Sequence, residues 1–137
     1  MNAPETLESP HKGTRGTRRL INAFFYSLSG LTLAFQHESA FRQEIMLAAV
    51  LVPLAFILSV TPSERVLLIA TMGLVLIVEL LNSSVEAAVD RISLDTHRLS
   101  KRAKDLGSAA VLVALVLLGA TWLIVAGPAI AKLVPAS

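Results

Sequence analysis

The chain of 137 residues has no cysteine, which excludes a disulfide scaffold, a thiol nucleophile and a thiolate-ligated zinc or iron–sulfur site. Aromatic residues make up only 5% of it, too few to stack nucleic-acid bases. A formal net charge of +2 gives little electrostatic reason to bind a polyanion, so no nucleic-acid partner is expected. Charged residues are also scarce, at 16% against about 25% in soluble domains. The sequence lacks G-x-x-x-x-G-K-[ST], G-x-G-x-x-G, H-R-D and D-F-G strings, so the familiar phosphate-binding loops are absent.

What the chain has instead is apolar length. Hydrophobic residues make up 54% of it, and no charge falls between Glu44 and Glu64 or between Asp105 and Lys132. Each run reaches the ~20 residues that cross a hydrocarbon layer of about 30 Å. A further apolar run, Arg65–Val89, is interrupted by Glu79 and Glu86. None of the runs alternates with period two, so they read as helices rather than barrel strands. The expected fold class is all-α integral membrane, with spans over residues 43–60, 65–89 and 106–130. Pro53 is expected to kink the first span without ending it. Residues 1–17 form a polar stretch rich in proline and glycine, expected to be a disordered tail without a signal-peptide pattern. Residues 18–137 are expected to form a single domain.

Over residues 18–37, Leu20, Ala23, Phe24, Leu28, Leu31 and Phe35 recur at helical spacing, with Arg18, Arg19, Asn22, Ser29 and Gln36 largely opposite. This pattern predicts an amphipathic helix lying in the membrane interface. Basic residues cluster before the first span (Lys12, Arg15, Arg18, Arg19, Arg42) and between the second and third (Arg91, Arg98, Lys101, Arg102, Lys104). The positive-inside rule then puts the N-terminus and the 90–105 loop in the cytoplasm and the C-terminus outside.

Carboxylates inside a span are costly, by about 2.5–3.5 kcal/mol on insertion scales, and are functional candidates by default. On a helix, Glu79, Asn82, Ser83, Glu86 and Asp90 fall within about 100° of arc. A packing seam accounts for Asn82 and Ser83. It accounts poorly for three acids with no basic residue expected at their depth. Glu79 and Glu86 lie about 10 Å apart along the axis, so a carboxylate near the inner surface can hold a divalent cation and one deeper can reach a lipid hydroxyl. Oxygen ligands suit Mg²⁺, which takes one or two carboxylates together with phosphates, and Glu38 is a candidate second ligand. His11, His37 and His97 have no metal-ligand spacing, Gly107–Ala110 suit close helix packing, and Trp122 reads as an interfacial or lipid-facing anchor. A small transporter or a structural assembly protein would also place acids along a membrane helix.

The strings SAFRQE (Ser39–Glu44), VELLNSSVEAAVDRI (Val78–Ile92) and RAKDLGSAAV (Arg102–Val111), in this order among three spans, resemble the prokaryotic diacylglycerol kinase family. The resemblance covers roughly Arg19 to Ala126. It implies an ATP- and Mg²⁺-dependent lipid kinase of the bacterial inner membrane, a homotrimer that converts diacylglycerol to phosphatidic acid. Undecaprenol kinase, of similar fold, is the alternative within the enzyme class. Position by position, the resemblance implies Glu79 as the catalytic base, with Glu38 and Glu86 as metal ligands that also contact ATP. It implies nucleotide contacts at Arg19, Tyr26, Asp95, Thr96, His97, Lys104 and Asp105. It implies lipid contacts at Ala23, Ser27, Ala40, Phe41, Arg42, Gln43, Glu44, Arg65, Glu79, Asn82, Ser108 and Trp122. Leu28 and Phe35 stand where relatives often carry tryptophan, and Asp95-Thr96 replaces the usual Glu-Tyr. Three helices cannot bury both the acidic stripe and the polar face of the 18–37 helix, so the site is expected to close against another protomer.

Overall fold

The structure, a computed structural model, describes residues 16–92 and 97–133. Most of the expected N-terminal tail therefore lies outside the described residues. Helices account for the secondary structure, and no strand occurs among the described residues. They are α1 (Thr17–His37), α2 (Ser39–Ile57), α3 (Pro62–Ile92) and α4 (Arg98–Thr121), followed by a π-helical turn (Trp122–Ala126) and α5 (Gly127–Ala131). Three helical stretches are long and apolar enough to cross a membrane: Ser39–Ile57, Pro62–Ile92 and Arg98–Ala131. Two of the three extend past the expected spans at both ends, and α2 starts earlier but stops short of residue 60. Charge marks where hydrocarbon begins, whereas backbone hydrogen bonding carries a helix on into polar sequence.

The chain divides into two compact units, one ending at Leu33 and the other beginning at Ala34. In the first, α1 leaves Leu20, Phe24, Leu28 and Leu31 exposed.

The second unit is built around α3. Its start is set by the string Thr61-Pro62-Ser63-Glu64. The Thr61 backbone N–H donates to Glu64 Oε2 at 2.7 Å, and the Glu64 N–H donates to Thr61 Oγ1 at 3.3 Å. This is a reciprocal capping box with proline in the first turn, where a missing N–H costs nothing. One turn on, Arg65 donates from Nε to Ala55 O at 3.0 Å and from Nη2 to Leu58 O at 3.4 Å. These are carbonyls at the end of α2, which have no partner inside their own helix. α2 itself continues through Pro53, as expected.

Buried positions on α3 are Leu68, Thr71, Met72, Val75 and Glu79, and among them Leu68, Met72, Val75 and Glu79 are spaced four, three and four residues apart. The same rhythm continues through Asn82 and Glu86, which makes one packing seam. Its N-terminal half is apolar: Leu68 meets Ala55 of α2, Leu58 just beyond that helix, and Ala126, while Met72 and Val75 meet Ala114 and Leu118 of α4. Its C-terminal half is polar. At ~1.5 Å per residue, the 31 residues of α3 extend about 46 Å, well beyond a hydrocarbon layer of about 30 Å. The polar end therefore has room to reach the interface.

Trp122, expected as an interfacial or lipid-facing anchor, packs inward. It is half-buried against both core clusters, and its Nε1–H donates to Leu68 O at 3.3 Å. An indole N–H in an apolar layer needs an acceptor, and this carbonyl supplies one. The turn that Trp122 opens is widened, with the Gly127 N–H reaching Trp122 O. Pro128 follows directly, and a proline ring collides with the carbonyl four residues earlier unless the helix adjusts.

Candidate active site

The C-terminal half of the seam gathers carboxylates from two helices and the residue that joins α1 to α2. Glu79 is 4% exposed and Glu44, one helix away on α2, is 7% exposed. The two act on each other electrostatically, and Glu38 and Glu86 also act on Glu79. Glu38 stands at the N-terminus of α2, half-buried, and its side chain makes no capping hydrogen bond. That leaves its carboxylate available to a ligand.

Asn82 and Glu86 lie on the same face of α3, and Asn82 Nδ2 donates to Glu86 Oε1 at 3.3 Å. Asn82 Oδ1 and Glu44 Oε2 are buried without a hydrogen-bond partner among the described residues. A buried polar atom left unpaired costs about 1–3 kcal/mol. Two such atoms beside a set of acids are what a polar ligand would satisfy.

The acids are not all without a cation, contrary to expectation. Lys104 Nζ of α4 lies 2.7 Å from Asp90 Oδ1 near the C-terminus of α3, and it feels Glu86 as well. The pair was illegible along the sequence because it depends on how α4 returns antiparallel to α3. Three residues further along α4, Gly107 sits against Asn82. A Cβ there would collide with Asn82 Oδ1.

Arg19, Ala23, Tyr26 and Ser27 share about 100° of arc on α1 and are exposed. Ser27 Oγ donates to Ala23 O at 2.9 Å. On α2, Phe41 is buried, Arg42 half-buried, and Ala40 and Gln43 exposed. Arg42 Nη1 donates to Phe35 O and Gln36 O, both at 3.1 Å, which ties it to the end of α1. His97 caps α4, its Nδ1 accepting from the Leu99 N–H at 3.2 Å. Asp105 pairs with Lys101 at 2.8 Å, and Ser108 is exposed. Asp95 and Thr96 lie outside the described residues. Arg65 stands fourteen residues before Glu79 and Trp122 bonds at Leu68, about 21 and 16 Å along α3 from the carboxylate cluster. The structure does not bring these two to it.

Sequence reasoning placed Glu44 only by resemblance; it put Asp90 on the acidic stripe without its Lys104 partner, and read Gly107 as a close-packing position without Asn82 as its neighbour. A signal existed for Glu44, since it closes the first charge-free run from the polar side.

No group of three or more acidic or histidine side chains is arranged to hold a metal ion among the described residues. Glu38 and Glu86 nevertheless fit Mg²⁺, which keeps several waters and takes one or two carboxylates with the phosphates of a substrate.

A family model described as prokaryotic diacylglycerol kinase matches residues 25–126. The chain is similar to a diacylglycerol kinase of Pseudomonas aeruginosa, 56% identical over 114 residues, which are 83% of this chain and 93% of that protein. It is 51% identical over 109 residues to one of Haemophilus influenzae, covering 80% of this chain and 92% of that protein. A third, of Escherichia coli K12, is 50% identical over 111 residues, covering 81% and 91%.

Proposed function

Because the chain belongs to the prokaryotic diacylglycerol kinase family, we propose that it phosphorylates diacylglycerol with ATP, giving phosphatidic acid and ADP, at the cytoplasmic face of a bacterial inner membrane. The observation that carries this reading is Glu79, a carboxylate 4% exposed on the buried stripe of a membrane helix and surrounded by other acids. A packing seam has no use for that grouping, whereas a phosphoryl transferase does.

In the proposed reaction Glu79 takes the proton of the lipid hydroxyl. The hydroxyl oxygen bonds to the γ-phosphorus as the bond to the β–γ bridging oxygen breaks, and ADP leaves with that electron pair. A base must stand within hydrogen-bond reach of the attacking oxygen, and a carboxylate below headgroup depth can do so. Glu44, buried beside Glu79, lines the same place and supports the assignment of the 40–44 segment to the lipid. Glu38 and Glu86 would hold Mg²⁺, which when bound offsets charge on the phosphates. Lys104 supplies a further positive charge from α4. The basic residues on both sides of the described site agree with a cytoplasmic N-terminus and 90–105 loop and an external C-terminus. Apolar residues exposed along α1 suit an interfacial position, and those on the outer faces of α2 and α4 suit lipid or neighbouring protomers of a homotrimer.

The reading is tested by giving purified protein γ-labelled ATP with diacylglycerol and undecaprenol together. Label in phosphatidic acid is the expected result. Label in undecaprenyl phosphate alone would replace the substrate, and label in neither lipid would remove the kinase reading. For the metal, Glu86→Gln and Glu38→Gln should each raise the Mg²⁺ concentration for half-maximal activity by about tenfold, since each removes one of two anionic ligands. Unchanged Mg²⁺ titrations in both variants would take the two residues out of the metal site.

A further inference from the structure

The polar end of the seam carries an ion pair that the reaction as derived does not use. Asp90 Oδ1 and Lys104 Nζ are 2.7 Å apart, with side chains 48% and 39% exposed. A pair this exposed adds at most about 1 kcal/mol to stability, so holding the fold together is a poor account of it. Its consequence is positional. A lysine ammonium is a compact charge on a flexible four-carbon stem, and it goes to whichever anion is nearest. Glu86 is one turn before Asp90 on the same face of α3, and Lys104 already feels it.

We infer that Asp90 is a positioning residue: it fixes the Lys104 ammonium at the polar end of the α3–α4 seam and holds it off Glu86. Without Asp90, the acid one turn away on that face among the described residues is Glu86, and an ammonium resting there would block a carboxylate the metal needs. Asn82 bonds only one oxygen of Glu86, Oε1. The other stays available as long as Lys104 is held elsewhere. The inference rests on the proposed kinase reading, in which Lys104 meets nucleotide phosphate and Glu86 meets Mg²⁺.

The test is steady-state kinetics, with the Kd for MgATP measured by calorimetry without lipid and expected to rise with its KM, of Asp90→Asn, Asp90→Glu, Lys104→Met and the Asp90→Asn/Lys104→Met double variant, in the full-length protein. Asp90→Asn should raise the KM for MgATP and the half-saturating Mg²⁺ concentration by about tenfold each, on the scale of one charge-assisted contact. The KM for diacylglycerol and the kcat at saturating Mg²⁺ and ATP should stay within about threefold, because neither base nor lipid contact is touched. Asp90→Glu should restore most of the loss. In the Lys104→Met background, Asp90→Asn should not raise the Mg²⁺ requirement further, because the competing ammonium is gone. A further rise there overturns the inference, as does an Asp90→Asn enzyme with unchanged MgATP and Mg²⁺ dependence. So does a loss in kcat, lipid KM and thermal stability together, which marks a merely structural role. If Lys104→Met alone leaves the MgATP KM unchanged, the phosphate role of Lys104 fails first, and the inference falls with it for that separate reason.

Discussion

Glu79→Gln should lower kcat by about 10³-fold, within the range lost when a general base is removed, with the oligomer and nucleotide binding intact. Glutamine has nearly the shape of glutamate, so the packing of α3 against α2 and α4 is preserved and only the proton acceptor is lost. The thermal midpoint should hold or rise. Glu79 is 4% exposed with Glu38, Glu44 and Glu86 around it, and a neutral amide relieves the mutual repulsion of four acids. Initial rates at saturating ATP and lipid, with nucleotide binding measured alongside, check this. Residual activity above a few per cent would show that another group takes the proton.

Gly107→Ala should reduce activity by about a hundredfold, although alanine is the better helix former by about 1 kcal/mol. The new methyl group would collide with Asn82 Oδ1, and overpacking at such a contact costs about 1–3 kcal/mol. Either α4 moves outward, carrying Lys104 away from Asp90, or the Asn82 side chain turns and releases Glu86. Both outcomes damage the phosphate end of the site. Adding Asn82→Ala to Gly107→Ala should restore the thermal midpoint, since the clash is gone, while activity stays low because Glu86 has lost its hydrogen bond. Full activity in Gly107→Ala would show that the close approach has no part in the reaction.

The spans, the helical class and the acidic stripe were legible in the sequence because each is a property of one segment. Charge-free length marks a span, and a helical repeat of 3.6 residues decides which of Glu79, Asn82, Glu86 and Asp90 share a face. The capping box at Thr61–Glu64 was equally local, and its T-P-S-E string could have marked the start of α3. The features that escaped depend on two segments meeting. Lys104 finds Asp90 only through the antiparallel return of α4. Arg65, which resemblance places near lipid, bonds Ala55 O and Leu58 O because α2 stops at Ile57 and turns back. Trp122 was read as an interfacial or lipid-facing anchor because an all-apolar helix gives no sign of which side meets its neighbours. Within the site, the resemblance supplied residue roles, and geometry supplied the neighbours that orient them.

The half-apolar, half-polar seam of α3 also acts as an alignment key during assembly. Among aliphatic residues repeating every seven positions, sliding α4 by one repeat along α3 would change little in contact chemistry. The polar half forbids that slip. Moved by seven residues, Glu79 and Asn82 would take the places of Met72 and Val75 against Ala114 and Leu118. An acid would then be sealed among methyl groups with no cation near, at several kcal/mol. A single polar residue in a helical seam can select one register at some cost in stability, and here several do so at once. The same carboxylates that make the chain costly to insert therefore ensure that, once inserted, its helices stop at one alignment.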